Sequence, residues 1–172
     1  MDITQLILDD HAEQRRLFAI IEQIDSKNVD ALTKVWGRLS AFLDVHAEAE
    51  ERFFYPQLLK RGEGANDAED GTVEGETEDA IEDHNKLRDA VAAANRLQIG
   101  TGAWIEAVGK ANVVNSKHMG EEERQGLTDF RRHAPIQLRH DLAVQFAAFE
   151  ADHLLGIKPV NKAPDAYVEQ HG

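Results

Sequence analysis

The sequence predicts an all-α protein: an antiparallel up-down four-helix bundle with a short C-terminal helix and tail. Three observations predict it. Apolar residues recur with the helical period through four long segments. The connections between those segments are short or rich in Gly. No stretch alternates apolar and polar residues as a half-buried strand would. The 172 residues suffice for one domain with a buried core.

The first helix is expected over Ile3–Ile24. Ile7, His11, Gln14, Phe18 and Ile21 fall on one face, and Asp2 with Gln5 resembles a capping start. The second is expected from about Asp30 to Leu59, with Leu32, Val35, Leu39, Phe42, His46, Glu50, Phe53 and Gln57 inward. Pro56 removes a backbone donor, so a bend or an early stop is expected there. Residues 62–76 break the period. They are rich in Gly and acid, and they predict a mobile acidic loop. They lack the ordered ligand alternation of an EF-hand, so no calcium site is expected.

The third helix is expected over about Thr77–Leu97, with Ile81, His84, Arg88 and Val91 inward, and Gly100 and Gly102 mark the following turn. The fourth runs from about Ala103 to Arg132, with Trp104, Val108, Ala111, Asn115, His118, Glu122 and Gln125 on one face. Pro135 starts a fifth, shorter helix to about Leu155, and residues 157–172 read as an extended tail. The predicted organisation is therefore a bundle over 1–134, followed by a C-terminal helix and tail over 135–172.

Composition removes several function classes. The formal net charge of −13 opposes binding to nucleic acid and anionic membranes. The lack of cysteine excludes disulfides, zinc–thiolate sites and iron–sulfur ligation. The first residues show no basic region followed by an apolar run, and no stretch is long and apolar enough to span a bilayer. A cytoplasmic location is therefore expected. No Gly-rich phosphate loop or nucleophile motif is present.

The informative residues are the histidines. Each long helix carries one on its apolar stripe: His11, His46, His84 and His118, at intervals of 35, 38 and 34 residues. Their places within the helices allow all four to meet at one level. The second and fourth helices add a carboxylate four residues later, Glu50 and Glu122, on the same face as the histidine. Two ionised carboxylates inside a bundle cost several kcal/mol each unless compensated, and multivalent cations would compensate them. Imidazole with carboxylate suits iron, with manganese and zinc behind it.

The metal-free alternative pairs Arg15 and Arg88 with Glu50 and Glu122. A ferritin-like reading would need Glu-x-x-His on two helices. That spacing occurs once, at Glu150 and His153, and is expected to be a surface pair. His133, His140, His153 and His171 lie off the stripes and are expected in ordinary surface roles. Asn115, one turn before His118, is expected to support the ligands.

The segments Asp9-Asp10-His11, His46-Ala-Glu-Ala-Glu50-Glu51 with Phe54-Tyr55-Pro56, Glu82-Asp83-His84 through Arg88, and His118-Met-Gly-Glu-Glu122-Glu123 together resemble the hemerythrin-like (HHE cation-binding) family over roughly residues 3–132. The resemblance implies two irons with an oxo or hydroxo bridge. His11 and His46 would hold one, His84 and His118 the other, with Glu50 and Glu122 bridging. Glu123 stands in reserve for Glu122, which lies nearer the His118 face.

The chain departs from the family's oxygen carriers in one ligand: Arg88 occupies the place of their fifth histidine. By this count each iron keeps an open position, which favours reaction with peroxide, dioxygen or nitric oxide over simple oxygen carriage. The alternative is a module that senses or stores dioxygen or iron without turnover. Iron delivery for cluster repair is disfavoured by the lack of cysteine. Some family members place a tyrosine near the metals. Tyr55 is expected to point about 100° away, into the core or behind the ligands. The expected binding partner is a small diatomic or peroxide ligand. The sequence names no protein partner for the C-terminal helix.

Overall fold

The structure is a computed structural model and describes residues 1–64 and 71–172. Helix α1 spans Ile3–Gln23 and α2 spans Val29–Ala49. A π-helical turn follows at Glu50–Phe54 and leads into α3, Tyr55–Arg61. Beyond it come α4 (Val73–Asn95), α5 (Gly102–Arg124), α6 (Gly126–His133), α7 (Ile136–Asp152) and α8 (Pro164–His171). No strand occurs among the described residues. α1 packs on α2 and α5, and α4 packs on α5 and α2, so the four long helices close a bundle; α7 lies against α1 and α2, and α8 against α4. The chain is an all-α helical bundle.

Local chemistry fixes most helix starts. The Asp2 carboxylate accepts the Thr4 N–H at 3.0 Å and caps α1. Gln5 does not complete a capping box, because its side chain donates to Asp9 at 2.9 Å. The third long helix begins four residues earlier than expected. Thr72 accepts the Gly75 N–H at 3.1 Å, Val73 is buried, and Glu74 with Glu76 places negative charge in the first turn. Gly75 had hidden this turn among loop-forming residues. The centre of the expected acidic loop, 65–70, lies outside the described residues. Its start is pinned, since Glu63 and Gly64 N–H donate to Asp129 Oδ2 at 2.9 and 3.1 Å.

The irregularity expected at Pro56 lies one turn earlier. In the π turn Tyr55 N–H donates five residues back to Glu50 C=O. The extra residue rotates the following helix, so Phe54, Tyr55 and Leu58 are buried while Phe53 and Gln57 are only half-buried. Pro56 has no N–H to give Glu51 C=O in this register. Tyr167 O–H donates to that carbonyl instead, at 2.5 Å.

The expected fourth helix is two helices. Gln125 leaves helical conformation (φ −105, ψ −89), and α6 turns back over α3. At Gly126 an added Cβ would meet Leu58 Cδ2 at 3.2 Å, so a glycine permits the approach. The tail is not fully extended either: Pro164, at the start of α8, has φ preset for a helix, and Tyr167 and Val168 are buried.

The core has two apolar clusters. One contains Ile7, Ala49, Ile81 and Leu127. The other contains Leu17, Leu43, Leu87 and Ala111. On α1, α2 and α4 the inward histidine falls between a residue of the first cluster and one of the second; His118 of α5 falls between Ala111 and Leu127, the latter at the start of α6. The polar residues thus form a layer between two apolar blocks.

Candidate metal centre

The structure brings His11 (α1), His46 (α2), Glu50 (π turn), His84 (α4), His118 and Glu122 (both α5) into that layer, all buried. Glu50 sits in the middle and reaches both sides. Its Oε1 lies 2.9 Å from His46 Nε2 and 3.7 Å from His11 Nε2. Its Oε2 lies 3.1 Å from His84 Nε2 and 3.8 Å from His118 Nε2. Glu122 Oε2 lies 3.3 Å from His11 Nε2, and His84 and His118 bring their Nε2 atoms to 3.0 Å from each other. Among the described residues, His11–His46–Glu50 and Glu50–His84–His118 each gather ligand-type atoms close enough to share one ion.

Hydrogen bonding divides these atoms by direction. Those turned away from the middle have partners, His46 Nδ1 excepted. His11 Nδ1 meets Glu123 Oε1 at 3.0 Å, His84 Nδ1 meets Glu51 Oε1 at 2.8 Å, and Glu122 Oε1 accepts the Tyr55 O–H at 2.6 Å. Most of those turned toward the middle do not: His11 Nε2, His46 Nε2, both Glu50 oxygens and Glu122 Oε2 are buried without a hydrogen-bond partner, and the Nε2 atoms of His84 and His118 have only each other as hydrogen-bond partners. Buried polar atoms are rarely left so. Ligands about 2.1 Å from one ion stand about 3 Å apart, close to the shorter spacings here. The residues therefore fit a cation better than they fit one another.

Electrostatics supports the same fit. Burial pulls His11 toward neutrality, but Glu122, Glu123 and Glu50 outweigh it and raise its pKa to about 10. His46, also pulled down by burial, is held well above the usual histidine range, chiefly by the Glu50 charge. Burial pushes Glu50 up, yet His46, His11 and His118 hold it well below the usual carboxylate range.

Several expected pairings change. Arg15 binds Glu123 at 2.7 Å and Arg88 binds Glu51 at 2.8 Å, so neither takes Glu50 or Glu122. Glu123, engaged by His11 and Arg15, is turned away from the middle, and Glu122 is turned toward it. Asn115 donates to Gln14 at 2.8 Å and does not support His118. Glu150 is not a surface pair with His153. Its carboxylate is mostly buried and lies 3.8 Å from His46 Nδ1, while His153 Nδ1 bonds Phe149 C=O at 2.7 Å. The π turn carries Tyr55 onto Glu122, where an uninterrupted helix would have pointed it away.

Sequence reasoning missed the groups behind the ligands. Glu51 takes His84 on one side. On the other it takes the Lys162 ammonium, Arg88 donates to both of its oxygens, and its pKa falls to about 2 although burial alone would raise it. Lys162 is held through its own backbone by Asn85, at 2.7 and 3.0 Å. The only sequence signal for Glu51 was its place beside Glu50; Lys162, in the tail, gave none.

A cavity of about 110 Å³, lined by Tyr55, Leu58, His118, Glu121, Glu122 and Gln125 among others, reaches the layer from the α4–α5 side. No described helix is long and apolar enough to cross a membrane.

No curated protein and no solved structure matches the chain. The family model for the hemerythrin HHE cation-binding domain matches residues 2–135, a span that holds all six residues of the layer and ends just before α7. The chain belongs to the hemerythrin HHE cation-binding domain family.

Proposed function

We propose that this chain holds two iron ions at His11, His46, Glu50, His84, His118 and Glu122, and that the centre binds or reacts with small oxidants: peroxide, dioxygen or nitric oxide. The observation that carries the reading is Glu50, whose two oxygens face two separate histidine pairs across the middle of the bundle. A carboxylate so placed would hold one ion through each oxygen. Nitrogen and oxygen donors without sulfur suit iron, with manganese and zinc as weaker candidates. The ions would supply Lewis acidity and a redox couple to a ligand spanning the pair.

The protein's own residues shape access and orientation. Tyr55 fixes one Glu122 oxygen and leaves the other facing the centre. Glu123 and Glu51 each take the Nδ1–H of a histidine and so set which nitrogen faces inward. The 110 Å³ cavity admits a ligand of a few heavy atoms, since one water occupies about 30 Å³.

The test is metal content together with the visible spectrum before and after peroxide or nitric oxide. About two irons per chain and a spectrum changed by either ligand are expected. Consumption of the oxidant by the loaded protein alone marks an enzyme, and a reversible change without consumption marks a sensor or store. A chain that takes up no iron, or a spectrum unmoved by both ligands, would refute the proposal.

A further inference from the structure

His46 has a second face. Its Nε2 is turned to the centre, while its Nδ1 is turned outward, 3.3 Å from Asp10 Oδ2 and 3.8 Å from Glu150 Oε1. All three atoms are buried and lack a hydrogen-bond partner, and they lie within 4.8 Å of one another. Two carboxylates and an imidazole nitrogen left so are an uncompensated cluster. A cavity of about 310 Å³ opens beside them, lined by Asp10, Glu13, Arg38, Phe42, Glu150 and His153 among others. Its guanidinium is already held, since Arg38 donates to Glu13 at 2.6 Å. The imidazole is set between the edges of Phe42 and Phe146, with ring centroids at 5.9 and 5.7 Å.

We propose that Asp10, Glu150 and the outer nitrogen of His46 form a third cation site, a loading site through which divalent transition metals pass from the surface cavity to the centre. It rests on the reading of the centre given above and adds a route to it. Two carboxylates and one neutral nitrogen compensate the charge of one divalent ion, and this donor set takes Fe²⁺, Mn²⁺, Co²⁺ or Zn²⁺.

Sharing His46 makes the two sites successive. An imidazole bound to metal through both nitrogens must lose both N–H protons. A neutral ring therefore serves the outer ion through Nδ1 or the inner ion through Nε2. The outer ion would displace the Nδ1 proton to water; as the ion moved inward it would displace the Nε2 proton to water, and Nδ1 would take a proton back from water and donate it in a hydrogen bond to Asp10. Glu150 belongs to α7, beyond the residues 2–135 matched by the family, so the loading site joins the C-terminal helix to the bundle.

The experiment mixes the metal-free full-length protein rapidly with Co²⁺ and follows the visible bands of Co²⁺ reaching the centre. Glu150→Gln and Asp10→Asn should each slow arrival about tenfold or more, with Co²⁺ per chain at equilibrium unchanged. Glu121→Gln, at the other cavity, should leave the rate as it was. Helical circular dichroism and melting temperature confirm that each variant is folded. An unchanged rate in both carboxylate variants overturns the proposal, as does slowing by Glu121→Gln alone. Weaker equilibrium binding at an unchanged rate also overturns it and makes the pair mere supports for His46. If the unmodified chain bound no Co²⁺, the reading of the centre would fail and the loading site with it.

Discussion

Glu51 and Lys162 form an ion pair directly behind His84. One Glu51 oxygen takes His84 Nδ1 at 2.8 Å and the other takes the Lys162 ammonium. Lys162 lies in the C-terminal segment, outside the matched residues, so that segment helps to set the orientation of a candidate ligand. Partners behind a ligating histidine are worth about 10–100-fold in metal affinity. Glu51→Gln should weaken metal binding by about that factor in competition with a chelator, and Lys162→Met by less, because Arg88 still holds Glu51. Affinity unchanged in Glu51→Gln would mean that His84 is not a ligand.

Glu50 straddles the centre, whereas each histidine serves one side. Metal content should therefore respond differently to the two kinds of loss. His11→Ala should remove about one ion per chain and leave the His84–His118 side able to bind. Glu50→Gln, nearly the same size but uncharged, should remove most of both. Elemental analysis of the purified variants decides it. Equal losses in the two variants would contradict the bridging geometry.

On the proposed ligation, protons and metal would compete for the same nitrogens. In the metal-free protein His11 is raised to about 10 by its carboxylates, against the pull of burial. A raised histidine contributes stability that is fully present below its unfolded pKa of about 6.5 and is lost as pH rises through about 10. The metal-free protein should therefore lose stability from pH 7 to 10, as read by thermal melting. Ligation needs the neutral ring, so metal binding must release protons and tighten over the same range. Calorimetry in buffers of different ionisation enthalpy should record that release, and a heat independent of buffer would exclude these histidines as ligands.

The sequence and the structure agree where burial imposes a period. Four stripes, each interrupted by one histidine, mark a polar layer between apolar blocks, because a charged group on such a stripe has nowhere to go but the middle of the bundle. What escaped detection depends on single departures from periodicity. The π turn adds one residue to a turn and moves Tyr55 from the flank onto Glu122. Thr72 and Val73 start α4 inside a stretch whose glycines and acids suggest a loop. Glu150 and Lys162 act across long sequence separations from segments with weak patterns of their own, and nothing in their neighbourhoods distinguishes them from surface charges.

Tyr55 tests the π turn and the centre together. Its hydroxyl is buried and donates to Glu122 Oε1 at 2.6 Å; burial, together with the charge of Glu122, pushes its pKa well above the usual range, so it stays a donor. Tyr55→Phe keeps the ring and leaves Glu122 Oε1 without its donor, a loss worth about 1–3 kcal/mol for a buried acceptor. In a protein of this size each kcal/mol moves the midpoint by about 2–4 °C, so the metal-free variant should melt several degrees below the parent. Bound metal offers Glu122 a compensating charge, and the deficit should shrink when iron or zinc is present. A deficit of the same size with and without metal would show that Tyr55 serves packing alone and that Glu122 does not face an ion.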